Sequence, residues 1–181
     1  MNEGDYIWGL FSIPFYHKKI QNWKGKKSEL LKLKEKNIPY IKEENIFTDF
    51  HGKYNYSQKL EKILKEELDS IYLKFEVKNY FITKSWIEVS EKNMDHKPHN
   101  HGALGLSAVL FLDFNPKYHQ PTHFMSPIGN FETGDTSFFI PVNVDEGSLI
   151  VFPSMINHFS IKNNSDVPRT IISFNMNKKM Y

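Results

Sequence analysis

The chain has 181 residues, 40% of them hydrophobic and 24% charged, with a formal net charge of +2. That composition suits one globular domain over residues 1–181 that buries its own core, and the charge is too small to argue for nucleic acid or an anionic membrane. With no cysteine, disulfides, thiolate ligands and cysteine nucleophiles are excluded; with no apolar run near the ~18 residues of a membrane span and no basic-then-apolar leader, the expectation is a cytoplasmic protein.

Two compositional halves follow one another. Residues 1–76 are lysine-rich with helical patterning, and residues 79–177 are strand-rich. An opening strand is expected at 7–13, stopped by Pro14, and a short amphipathic helix from Ser28 to Lys36, ending before Pro39. The strongest helical signal starts at Ser57, the expected N-cap, with Leu60, Ile63, Leu64, Leu68, Ile71 and Phe75 at three- and four-residue steps. After Asn79 the period becomes two: Phe81, Thr83, Ser85, Ile87 and Val89 alternate with Ile82, Lys84, Trp86 and Glu88. Further strands are expected at 104–114, 122–125, 136–140, 148–152, 157–161 and 170–176, separated by Pro, Gly, Asn and Asp clusters. Seven or eight short strands with 15% aromatic residues indicate a mainly β (α+β) sandwich or jelly roll, with the N-terminal helices packed outside it.

Two features carry chemistry. His99 and His101 stand at i and i+2, so extended backbone turns both imidazoles to one face, where they can share one ion; Gly102 leaves room beside them. Arg169 is the single arginine against 22 lysines. Lysine supplies bulk charge equally well, so a lone guanidinium points to a planar grip on a carboxylate. With His158 eleven residues before it, the set suggests a metal site with an organic acid beside it.

The order His-x-His, lone His, Arg resembles the iron(II)- and 2-oxoglutarate-dependent oxygenase superfamily, and within it a 2OG-Fe(II) oxygenase family. The residues carrying the likeness are Phe11-Ser12-Ile13-Pro14, Trp86, His99-Asn100-His101 followed by Ser107, Gly147-Ser148-Leu149-Ile150-Val151-Phe152-Pro153-Ser154, His158, Arg169 and Phe174-Asn175. The resemblance implies a double-stranded β-helix (jelly roll, cupin-like) and a dioxygenase that hydroxylates a substrate while 2-oxoglutarate and O2 become succinate and CO2. It implies Fe(II) on His99, His101 and His158, with Arg169 gripping the distal carboxylate of 2-oxoglutarate. Ser107, Ser173 and Asn175 are candidate co-substrate contacts, the last two sharing the Arg169 strand face. The superfamily usually has a carboxylate where this chain has His101, which leaves the site one unit more positive.

His96 is an understudy for His99. Asp95 and Asp113 are read as a loop cap and a strand-end charge, and His17, His51, His119 and His123 as surface residues. Trp86 is read as core, the 18–36 lysine run as a solvated helix face, and 115–134 as a loop long enough for a lid. The substrate is unidentified, a small molecule or protein side chain in preference to nucleic acid, and a homodimer is compatible with the sequence. Two rival readings are a three-histidine cupin dioxygenase that does not use 2-oxoglutarate and a non-enzymatic jelly-roll binding module.

Overall fold

A computed structural model describes residues 11–36, 41–43, 45–52 and 55–178. In chain order the elements are β1 (Tyr16–Lys19), α1 (Trp23–Lys36), β2 (Ile41–Glu43), β3 (Ile46–Thr48), α2 (Ser57–Ile63), α3 (Lys65–Lys74) and β4 (Tyr80–Ser90). Then follow β5 (His96–His99), β6 (Leu106–Asp113), β7 (His123–Gly129), β8 (Thr136–Phe139), β9 (Ser148–Pro153), β10 (His158–Ser160) and β11 (Arg169–Lys178). The strands form a seven-stranded sheet in the order β1-β9-β6-β11-β4-β3-β2 and a four-stranded sheet in the order β5-β10-β7-β8. Every pairing is antiparallel.

The large sheet is buried on both faces. On β6, Leu106, Ala108, Leu110 and Leu112 join α1, α2 and α3 residues such as Leu30, Leu60, Leu68 and Ile71. Val109 and Phe111 turn the other way, into a second cluster with Phe124, Ile150, Phe152 and Ile171. The two-residue period thus sorts alternate side chains between a helix-facing layer and the space between the sheets. Each fully buried Leu, Ile or Phe adds about 1.5–3 kcal/mol, which makes β6 a principal anchor of the fold.

Several expectations need correction. Residues 7–10 lie outside the described residues, and 11–13 are not strand; the first strand is β1. The N-terminal half is not only helical, because β1 closes one edge of the large sheet and the β2–β3 pair the other. Helix α1 begins at Trp23, five residues early, where the indole N–H donates to Glu146 Oε1 at 2.9 Å. The helix from Ser57 is divided at Leu64, although Leu64 N–H still donates to Leu60 O and Leu68 N–H to Leu64 O. Tyr56 holds the N-cap position without a capping bond from its side chain, its hydroxyl donating to Asp49 instead, while Ser57 Oγ bonds Ser85 Oγ at 2.9 Å in the interior. Lys26 and Lys27 leave the solvated face: Lys26 Nζ meets both oxygens of the buried Glu67 at 2.9 and 2.8 Å, and Lys27 bridges Asp113 and Glu146. Within the 115–134 stretch β7 takes His123–Gly129, which divides it into two shorter loops in place of one long lid.

Candidate metal centre

Local backbone rules explain how the three histidines meet. Strand β5 pairs with β10, and His99 lies directly opposite His158 in the register. Side chains directly opposite across an antiparallel pair share a face, so two imidazoles are brought together by strand pairing alone. His101 lies just past the end of β5, pinned by its N–H to Ser154 O at 2.9 Å. Gly102 then takes φ +96, and its N–H donates to Asn100 Oδ1, turning the chain away; this left-handed geometry favours glycine.

Ring centroids of His99 and His158 are 4.4 Å apart, and His101 stands 5.1 Å from each. One ligand atom from each of the three lies within 4.8 Å of the others. Two bonds of ~2.1 Å to one ion span up to about 4.2 Å, so small ring rotations suffice to share a cation. The tautomers suit that role. His99 Nδ1 donates to Lys97 O at 2.8 Å and His158 Nδ1 to Ile156 O at 2.9 Å. Each Nδ1 must carry the proton, because a carbonyl only accepts, which makes Nε2 the unprotonated, basic nitrogen of each ring. Burial, reinforced by His99, lowers His158 to about 3 and His101 to about 4, so both are neutral donors near pH 7.

Arg169 opens β11 and is buried. Its Nη2 donates to Thr122 Oγ1 at 3.3 Å, and its Cζ sits 5.5 Å from the Phe111 ring centroid. Burial lowers it to about 10, with Glu88 opposing the fall, so it stays cationic. Among the described residues, Arg169 Nε and Ser160 Oγ are buried polar atoms without a partner. Both residues line one small cavity with Thr122, Ser173, His99 and His158. Desolvated donors left unpaired cost about 1–3 kcal/mol each, so this pair marks a place shaped for an acceptor.

Ser173 reaches this cavity, as strand parity predicts; Ser107 and Asn175 do not line it. Ser107 Oγ instead bonds Asn175 Oδ1 and Ser154 Oγ, both at 2.9 Å. Asp95 accepts from Asn45 Nδ2 at 2.5 Å and Asp113 pairs with Lys27, so neither joins the histidines. His96 is not in the triad; its ring stacks on His99 with centroids 4.0 Å apart. His119 and His123 are buried rather than on the surface. His119 fixes a turn, accepting from Asn115 N–H at Nδ1 and donating from Nε2 to Val167 O.

Three residues near the site escape the sequence reading. Ser160 was legible, since it is two residues from His158 on the same strand face. Glu88 left a signal too: a carboxylate at a core-facing position of β4, between Trp86 and Ser90. Thr122 left none, because its approach to Arg169 depends on how β7 crosses the other sheet. A further cleft, lined by Thr48, Phe50, His51, Trp86, Asn100 and His101, shares Glu88, His96 and His99 with the first cavity. Trp86 is therefore both buried and part of a cleft wall.

A model of the family described as "Putative 2OG-Fe(II) oxygenase" matches residues 84–175. None of the curated proteins compared matches significantly. Among solved structures, the non-heme alpha ketoglutarate dependent epimerase SnoN from nogalamycin biosynthesis superposes with TM-score 0.67 at 12% identity, over 92% of this chain and 77% of that one. A Pseudomonas putida prolyl-4-hydroxylase gives TM-score 0.59 at 12% identity over 93% and 95%. HygX from Streptomyces hygroscopicus, solved with nickel and 2-oxoglutarate bound, gives 0.63 at 8% identity over 93% and 84%.

Proposed function

The chain belongs to the 2OG-Fe(II) oxygenase family, whose double-stranded β-helix it shares, and from that premise we propose that His99, His101 and His158 hold the iron while Arg169 anchors 2-oxoglutarate. The family's cofactors are Fe(II) and 2-oxoglutarate, and the three-histidine group suits a divalent ion. When bound, they supply oxidation of a C–H bond by O2, with 2-oxoglutarate leaving as succinate and CO2 and a hydroxyl entering the substrate.

The protein's own part is binding, orientation and exclusion of water. Nε2 of His99 and of His158 face the ion because backbone carbonyls hold the opposite ring nitrogens. Arg169 presents its unpaired Nε, and Ser160 its Oγ from the lining of the same cavity, to the distal carboxylate of the co-substrate. Thr122 Oγ1 already steadies the guanidinium. The observation that carries the reading is this pair of unsatisfied donors sharing a cavity with His99 and His158. The substrate, a small molecule or protein side chain, enters through the cleft between Phe50, Trp86 and Asn100, which reaches His99 and His101 without passing Arg169.

In cellular terms we read residues 1–181 as one cytoplasmic domain; no helix of the described residues is long and apolar enough to cross a membrane. The test is succinate release from 2-oxoglutarate with Fe(II) and ascorbate under air. Wild-type protein forms succinate even without its substrate, slowly, and Arg169→Ala does not. Wild-type protein that neither turns over nor binds 2-oxoglutarate overturns the assignment.

A further inference from the structure

Glu88 is a buried carboxylate with no part in the scheme above. It lies on β4 opposite Ile171 of β11 and Thr48 of β3, and lines both the Arg169 cavity and the neighbouring cleft. Its Oε1 accepts from Trp86 Nε1 at 2.7 Å and its Oε2 from His96 Nδ1 at 3.2 Å. His96 in turn stacks on His99. A lone buried charge is costly and is retained only where something compensates it.

We propose that Glu88 is a positioning residue that supplies, from outside the coordination sphere, the negative charge that a three-histidine ligand set lacks. This rests on the metal-site reading given above. Three neutral imidazoles leave an iron(II) ion with both its positive charges, and Arg169 adds a third. With His96 in its neutral form, the two carboxylates of 2-oxoglutarate and that of Glu88 balance all three. Burial would push the Glu88 carboxyl up, yet the His96 and Trp86 bonds hold it down to about 2. The stack of His96 on His99 adds a mechanical role, because the carboxylate that grips His96 also fixes the ring beside a ligand. A fixed anion favours the cation and opposes a dianion, so the two ligands respond to it with opposite sign.

Glu88→Gln keeps the shape and the bond from Trp86 while removing the charge. Titration of EDTA-treated protein with manganese(II), and separately with 2-oxoglutarate, reads both effects without turnover. We expect manganese(II) affinity to fall by about 10–100-fold, as outer-sphere changes do, and metal-free 2-oxoglutarate affinity to rise by about tenfold. Both affinities unchanged, or both moving the same way, overturns the inference. Wild-type protein that binds neither ligand refutes the metal-site reading itself, a separate result. Should Glu88→Gln misfold by circular dichroism, Glu88→Met, which fills a similar volume without charge, is titrated in its place, with the same two shifts expected and the same results overturning the inference.

Discussion

His158 and His99 are register partners across the β5–β10 pair, with ring centroids 4.4 Å apart. The register slips before the next pair, Ser160 with His96, so the ladder is regular only at the histidines. The site's two best-oriented imidazoles are therefore placed by backbone pairing rather than by side-chain reach. Their ordering cost is met by folding rather than by metal capture.

That arrangement makes His158 hard to replace. His158→Gln should fold, since glutamine is polar and close in size to the imidazole that packs on Phe152, and should lose metal affinity by at least about 100-fold. Calorimetric titration with manganese(II) alongside a thermal melt checks both halves.

Arg169 should not tolerate lysine. Arg169→Lys keeps the charge but loses the planar fork and Nε, the unpaired donor, so 2-oxoglutarate affinity should fall by about 10–100-fold, or about 1.4–2.8 kcal/mol. Tryptophan fluorescence during 2-oxoglutarate titration of manganese-loaded protein reads it. Equal affinity in the two proteins would remove Arg169 from the co-substrate site.

Ser160→Ala should move stability and binding in opposite directions. Its hydroxyl is buried and unpaired without co-substrate, so the change should leave the free protein equally stable or raise it by up to about 1 kcal/mol. Loss of a donor to a carboxylate should weaken 2-oxoglutarate by about tenfold. Urea unfolding and the same fluorescence titration separate the two effects.

The metal-free protein should be acid-sensitive below pH 6.5. His158 and His101 fall from the ordinary 6.5 to about 3 and about 4, chiefly through burial. Between those values the unfolded chain takes up protons that the folded chain refuses, so stability drops as pH falls. The slope is at most about 1.4 kcal/mol per pH unit for each imidazole. Glu88 acts in the same direction, its contribution present above 4.5 and lost as pH falls to about 2. Urea unfolding at pH 7.5, 6 and 5 should show the decline, and His158→Gln should flatten it.

Much of this was legible in the sequence because it depends on period and parity. The two-residue alternation after Asn79 located β4, β6, β9 and β11 within a few residues, and i, i+2 parity placed Ser173 on the Arg169 face. Asn175 keeps that parity, paired opposite Ser107, but it lies one step further along β11 and bonds Ser107 instead of lining the cavity. Short strands β2 and β3 were invisible because three residues carry too little pattern. Thr122 and the burial of His119 depend on contacts between distant segments, which local pattern does not encode.

The two N-terminal strand pieces bear on how this fold can be trimmed. A fragment beginning near Tyr80 would retain all three histidines and Arg169, yet strip β1 from β9 and β3 from β4. Both flanks of the large sheet would then offer unpaired amides and carbonyls to any passing chain, beside apolar residues the helices had covered. Such a fragment should precipitate or assemble into sheet-to-sheet oligomers, however complete its catalytic inventory.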